Sequence, residues 1–209
     1  MTITDMPLTI NPMSRPGTKI GAIKGIVIHY VGNPGSSAKA NRDYFESLKN
    51  QKVTYASSHY IVGLGGEIIR CVPEDEIAYH ASAANSNYIG IEVCHPDASG
   101  KFSDVTRAAL VELAADLLWR HSAKEIKRHY DVTGKLCPLY YVVNPAEWEK
   151  LVADIRKVPS PLDIPSSWAK EAWDWGIANG LTDGTGPEGY ARRQEVVQMF
   201  KNFAERVMR

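Results

Sequence analysis

The run Gly25-Ile-Val-Ile-His-Tyr-Val31 carries apolar residues on both of its alternating faces, with Ile26, Ile28 and Tyr30 on one and Val27 and Val31 flanking His29 on the other. Such a strand leaves neither face to water, so it belongs in the middle of a sheet covered on both sides. His29 then emerges near the C-terminal end of the strand, where α/β sheets tend to place their chemistry.

The rest of the chain is read around that strand. Tyr88–Cys94 sets Ile89, Ile91 and Val93 on one face and Gly90, Glu92 and Cys94 on the other, with Glu92 the misfit among apolar neighbours. Residues 55–64 and 67–72 predict a β-hairpin turned by Gly65-Gly66, a pair suited to positive φ. Ser36 or Ser37 can cap a helix with Ala40, Tyr44 and Leu48 facing inward. Ser103 or Asp104 can cap the longest helix, which reaches about His121 with Leu110, Leu113, Ala114, Leu117 and Leu118 on its apolar face. A further helix, Pro145–Lys157, closes the domain. Strands and helices do not alternate strictly, so the expected fold class is α/β with a mixed central sheet flanked by helices.

At either end the composition changes. Residues 1–24, with Pro7, Pro12 and Pro16, read as an extended lead-in. Val158–Pro165 holds three prolines and reads as a stiff linker, so residues 1–157 form the main domain. Residues 166–209 then make a small helical hairpin, with Trp168, Ala172 and Trp175 inward on its first helix and Val196, Val197, Phe200 and Phe203 on its second. The intervening loop around Asp183–Gly189 lacks the ligand pattern of a calcium loop.

Twenty-four basic residues balance 24 acidic ones, so no global field points to nucleic acid or an anionic membrane. The cluster Arg120, Lys124, Lys127 and Arg128 reads as a solvated helix face. Three cysteines do not make a disulfide framework and fit synthesis in a reducing compartment. The N-terminus has no signal-peptide pattern, and no run approaches the roughly 18 apolar residues of a membrane helix, which predicts a protein made in the cytoplasm.

His129 and Cys137 lie close together in Arg128-His-Tyr-Asp-Val-Thr-Gly-Lys-Leu-Cys-Pro138. With His29 they offer two imidazoles and one thiolate, the donors of a zinc site that keeps a fourth position open. Core and surface roles for each residue stay open on spacing alone. The stretches Ile26-Val-Ile-His-Tyr30, Ser58-His-Tyr-Ile-Val62, His80, Ile89-Gly-Ile-Glu-Val93 and His129 through Lys135-Leu-Cys-Pro138 together resemble the zinc-dependent type 2 N-acetylmuramoyl-L-alanine amidases, a group including phage endolysins and peptidoglycan recognition proteins.

That resemblance implies Zn2+ held by His29, His129 and Cys137, with Glu92 as acid-base residue, Lys135 beside the oxyanion, and His59, His80 and Tyr60 toward substrate. Many relatives carry a tyrosine immediately before the histidine that matches His59, where this chain has Ser58. Tyr60 or Tyr55 could stand in, but the acid-base role falls first to Glu92. It also implies peptidoglycan as the partner and hydrolysis of the bond between N-acetylmuramic acid and L-alanine, after release to the wall by a holin-type or lytic route. A non-catalytic recognition protein, which would lack the Cys137 thiolate, and a zinc amidase of soluble muropeptides are the alternatives. The C-terminal hairpin resembles one S-layer-homology repeat, which implies binding of a secondary wall polymer or self-association as a homodimer.

Overall fold

The computed structural model describes residues 1–160, 165–182 and 193–207. The chain divides into two compact units, Met1–Val158 and Pro159–Arg209. Of the expected linker, residues 161–164 lie outside the described residues, as does the loop from 183 to 192.

The doubly apolar run forms β2 (Gly25–Ile28). Its neighbours on either side are β5 (Tyr88–Val93) and β6 (Glu125–Arg128), both parallel to it. Beyond β5 lie β3 (Tyr60–Val62), then β4 (Ile68–Arg70), then β1 (Ile3–Asp5), giving the order β1, β4, β3, β5, β2, β6. Only β3 and β4 run antiparallel, as the expected hairpin, and Gly66 takes a φ of 82° in the turn between them. The sheet is therefore mixed, as the irregular alternation of elements predicts.

Pleating sorts the side chains of β2 and β5 into two sets. Ile26, Ile28, Ile89, Ile91 and Val93 join the larger core, against Leu110, Leu113, Ala114 and Leu117 of α2 (Asp104–Arg120) and Leu151 and Ile155 of α5 (Pro145–Lys157). The alternate residues Val27, Gly90 and Glu92 point to the opposite face, and His29 continues that phase just past the strand. On that face a second core gathers Ile61, Ile69 and Cys71 beneath α1 (Ala38–Gln51).

Helix α1 is capped by Ser37, whose side chain accepts from the Ala40 N–H. Its buried stripe is Ala38, Asn41, Phe45 and Leu48, so the expected phase is corrected: Ala40 is exposed and Tyr44 is 46% exposed. Starting the helix at Ala38 sets the stripe at 38, 41, 45 and 48, which turns Tyr44 outward. The basic cluster also needs correcting. Arg120 ends α2, Ser122 reverses the chain at φ 50°, and Lys127 and Arg128 lie on the edge strand β6. Pairing with β2, about a hundred residues away, overrides the local helical reading.

The lead-in is extended but tied down. β1 adds to the sheet beside β4, and Arg15 makes a paired contact with Glu76 through Nε and Nη2, each 2.8 Å from a carboxylate oxygen. In the C-terminal unit, α6 (Lys170–Ala178) and α7 (Arg193–Val207) form the helices. Trp168 precedes α6 and is 88% exposed, and Ala172, Trp175, Val197 and Phe200 are exposed too, so their expected inward positions are corrected. Leu181, Val196, Met199, Phe200 and Phe203 line an apolar groove of about 410 Å3 in this unit. Among the described residues no helix is long and apolar enough to cross a membrane.

Candidate metal and catalytic site

The parallel strands β5, β2 and β6 end at one edge of the sheet, and the predicted site gathers there. His29 follows β2, Glu92 is the penultimate residue of β5, and His129 opens the short helix α3 (His129–Thr133) directly after β6. Asp131 accepts from the Arg128 N–H at the start of α3, and Gly134, at φ 79°, ends it. The chain then doubles back so that the Tyr130 N–H reaches the Cys137 carbonyl at 2.9 Å. That turn brings the thiol beside the imidazole eight residues upstream in the chain (137 − 129).

His29 Nδ1 lies 3.1 Å from His129 Nδ1 and 3.9 Å from Cys137 Sγ. One donor atom from each residue falls within 4.8 Å of the other two, which is ligand-cluster spacing for one cation. The electrostatics suit neutral imidazoles: burial holds the His29 ring well below the usual histidine range, helped by His80, His129 and the Lys135 ammonium. Burial, then Lys135, also lowers His129. Cys137 is different, because burial, with the Glu92 charge adding, pushes its thiol up to about 12. A thiol so placed stays protonated at neutral pH until a cation stabilises the thiolate.

These residues form part of the wall of a cavity of about 320 Å3, together with Glu92, Lys135 and His80. Burial drives the Glu92 carboxyl up to about 8, only partly opposed by Lys135, and its Oε2 is the one buried side-chain oxygen or nitrogen without a hydrogen-bond partner among the described residues. A carboxyl that lines a cavity and loses its proton near neutral pH is suited to exchanging a proton with a reacting group.

Two expected residues are not there. Tyr60 is 1% exposed, sits in the larger core and gives its hydroxyl to Glu74 on the far side of the sheet from Glu92. His59 is fully buried, its Nε2 donating to the Glu76 carbonyl and its Nδ1 accepting from the Gly90 N–H. Both substrate-facing assignments are corrected: the β3 register that pairs Tyr60 with Ile91 and Ile61 with Glu92 turns Tyr60 into the core. Ser58 is likewise buried, its hydroxyl spent on the Tyr60 carbonyl. The cavity takes its tyrosines from elsewhere, namely Tyr30, Tyr44, Tyr55 and Tyr79. Tyr44 was within reach of sequence reasoning, since an α1 stripe read one residue later, through Asn41 and Phe45, leaves it on the cavity side; Tyr79 carries no such signal.

Fold and site together define an α/β domain with a His-His-Cys donor cluster beside a buried carboxylic acid. The family model described as N-acetylmuramoyl-L-alanine amidase matches residues 19–139, and the chain belongs to this family. It is 36% identical over 171 residues to N-acetylmuramoyl-L-alanine amidase CwlL of Bacillus licheniformis, covering 73% of this chain and 45% of that protein. It is 38% identical over 147 residues to a probable N-acetylmuramoyl-L-alanine amidase of the same species, covering 64% of this chain and 41% of that one. The chain thus spans less than half the length of these curated relatives. Among solved structures, a mutant endolysin from Bacillus subtilis superposes with a TM-score of 0.63 at 26% identity, over 74% of this chain and 99% of that one.

Proposed function

We propose that this protein is a peptidoglycan hydrolase, an endolysin or autolysin, that cleaves the amide between the lactyl group of N-acetylmuramic acid and the L-alanine of the stem peptide. The observation that carries the reading is the meeting of a three-donor cluster, His29, His129 and Cys137, with the unpartnered acid Glu92 in one cavity. Two nitrogens and one sulfur at this spacing fit Zn2+, with room for a fourth ligand. When bound, zinc would supply Lewis acidity that polarises the scissile carbonyl and makes water a better nucleophile.

The protein's own groups complete the reaction. Glu92 in its carboxylate form takes a proton from the attacking water. As the C–N bond breaks, the same carboxyl returns that proton to the leaving alanine nitrogen, so it is regenerated each turnover. Lys135, on the cavity wall, places a fixed positive charge where the carbonyl oxygen becomes negative. His80 faces the same cavity, and Tyr44 and Tyr55 offer exposed rings at its rim for sugar or peptide.

The C-terminal unit is assigned to wall-polymer binding or self-association, an assignment supported by its resemblance to one S-layer-homology repeat and by its exposed apolar groove. Action at the wall after lytic release follows from the same reading. Digestion of purified walls tests the main proposal: L-alanine amino termini should appear without new reducing sugar ends, and a chelator should stop their release. Appearance of reducing ends would overturn it. Cys137→Ser should lose both zinc and activity, whereas a recognition protein would keep wall binding with no zinc at all.

A further inference from the structure

His80 lines the cavity but takes no part in the chemistry above. Its Nδ1 lies 3.2 Å from His29 Nε2, and its Nε2 lies 3.1 Å from the carbonyl oxygen of Tyr88. A carbonyl oxygen only accepts, so the proton of a neutral His80 sits on Nε2 and its Nδ1 is a bare acceptor. His29 must then be the donor across the 3.2 Å contact, with its own proton on Nε2. The remaining lone pair of His29 is on Nδ1, the atom that faces His129 and Cys137.

We infer that His80 is a positioning residue: it holds His29 in the Nε2–H tautomer and thereby aims the Nδ1 lone pair at the metal cluster. The inference rests on the zinc-site reading. The competing arrangement, with a proton on His29 Nδ1, would leave two bare nitrogen lone pairs facing each other across 3.2 Å. It would also put a proton into the cluster, where a cation must bind.

The fold holds the relay on three sides. A Cβ at Gly90 would lie 2.5 Å from His80 Cγ, so β5 leaves that side chain out to seat the ring. The His80 and Ala81 backbone N–H groups both donate to Asn85 Oδ1, at 2.9 and 2.7 Å, which fixes the loop that carries the ring. His59, the next histidine along, commits both of its nitrogens to backbone groups, so it does not compete for His80.

Nitrogen-15 NMR of histidine-labelled, zinc-free wild-type protein reads the tautomer directly. His29 should show a protonated Nε2 and a pyridine-type Nδ1; a proton on Nδ1 overturns the inference without any variant. Zinc affinity, measured by competition with a chromophoric chelator, gives the second readout. His80→Leu should weaken it roughly ten- to a hundred-fold, the usual loss on removing a ligand's hydrogen-bond partner. His80→Asn, whose Oδ1 replaces Nδ1 as acceptor, should recover most of that loss. Equal affinity for wild type and His80→Leu, or no recovery by Asn, overturns the inference. Failure of the wild type to take up zinc would instead overturn the metal-site reading, leaving the tautomer spectrum to decide the role of His80.

Discussion

Glu92→Gln should make the zinc-free protein more stable while abolishing hydrolysis, because the group that is useful to the chemistry is a burden to the fold. Burial raises the Glu92 carboxyl from 4.5 to about 8. Between those values the unfolded chain has lost the proton and the folded one keeps it. Folded protein then binds one more proton than unfolded, so stability falls as pH rises, by about 1.4 kcal/mol per pH unit for a full proton. At pH 7 the window crossed is roughly 2.5 units, or about 3 kcal/mol against the wild type. Glutamine has the same shape and never ionises, so it removes this slope and leaves the packing alone. Urea unfolding of both proteins, chelator-treated and followed by circular dichroism at pH 5, 6, 7 and 8, gives the test. The gap in stability should widen steadily with pH and close near pH 4.5, the unperturbed value. A gap that stays constant with pH would show that Glu92 ionises normally and would remove the physical basis for its acid-base role. Wall digestion by the variant should fall to the level of the chelated enzyme.

Gly90→Ala should drive the new Cβ into the His80 ring, costing about 1–3 kcal/mol by overpacking and weakening zinc uptake, both readable from thermal unfolding and chelator competition. Glu74 behaves in the opposite sense to Glu92. Burial alone would raise it, but hydrogen bonds from Arg120, Tyr60 and His121 outweigh that and bring it from 4.5 to about 2. Its contribution is therefore present above pH 4.5 and lost as pH falls toward 2. Since Arg120 is partly exposed and water screens the pair, Glu74→Gln should cost about 1–2 kcal/mol at pH 7 and nothing near pH 2, measured by urea unfolding at the two pH values. Leu113→Ala, at a fully buried position of α2, should cost about 2–5 kcal/mol by the cavity it leaves, with a lowered Tm and unchanged zinc affinity.

Local pattern was a good guide wherever one period governs one element. The alternation in 25–31 and 88–94 was enough to set Ile26, Ile28, Ile89 and Ile91 against the helices and to send His29 and Glu92 to the other face, and the structure has that arrangement. Capping by Ser37 and Ser103 and the glycine turn of the hairpin were equally legible, since each depends on a few neighbouring residues. The α1 stripe was misjudged by its phase, which the cap sets. Strand β6 was unreadable, because Glu125–Arg128 is polar and becomes a strand only by pairing with β2.

The donors of the cluster and the odd carboxyl at Glu92 were thus written in the chain itself, as residue types whose chemistry does not depend on the fold. Which of the surrounding side chains share their cavity was decided by tertiary structure alone. Register turned Tyr60 into the core, the commitments of His59 withdrew it from the cavity, and the space left by Gly90 brought the ring of His80 against His29. Sequence specifies what each group can do. Burial and pairing across distant strands specify its protonation and its partner, and those are properties of the packed molecule.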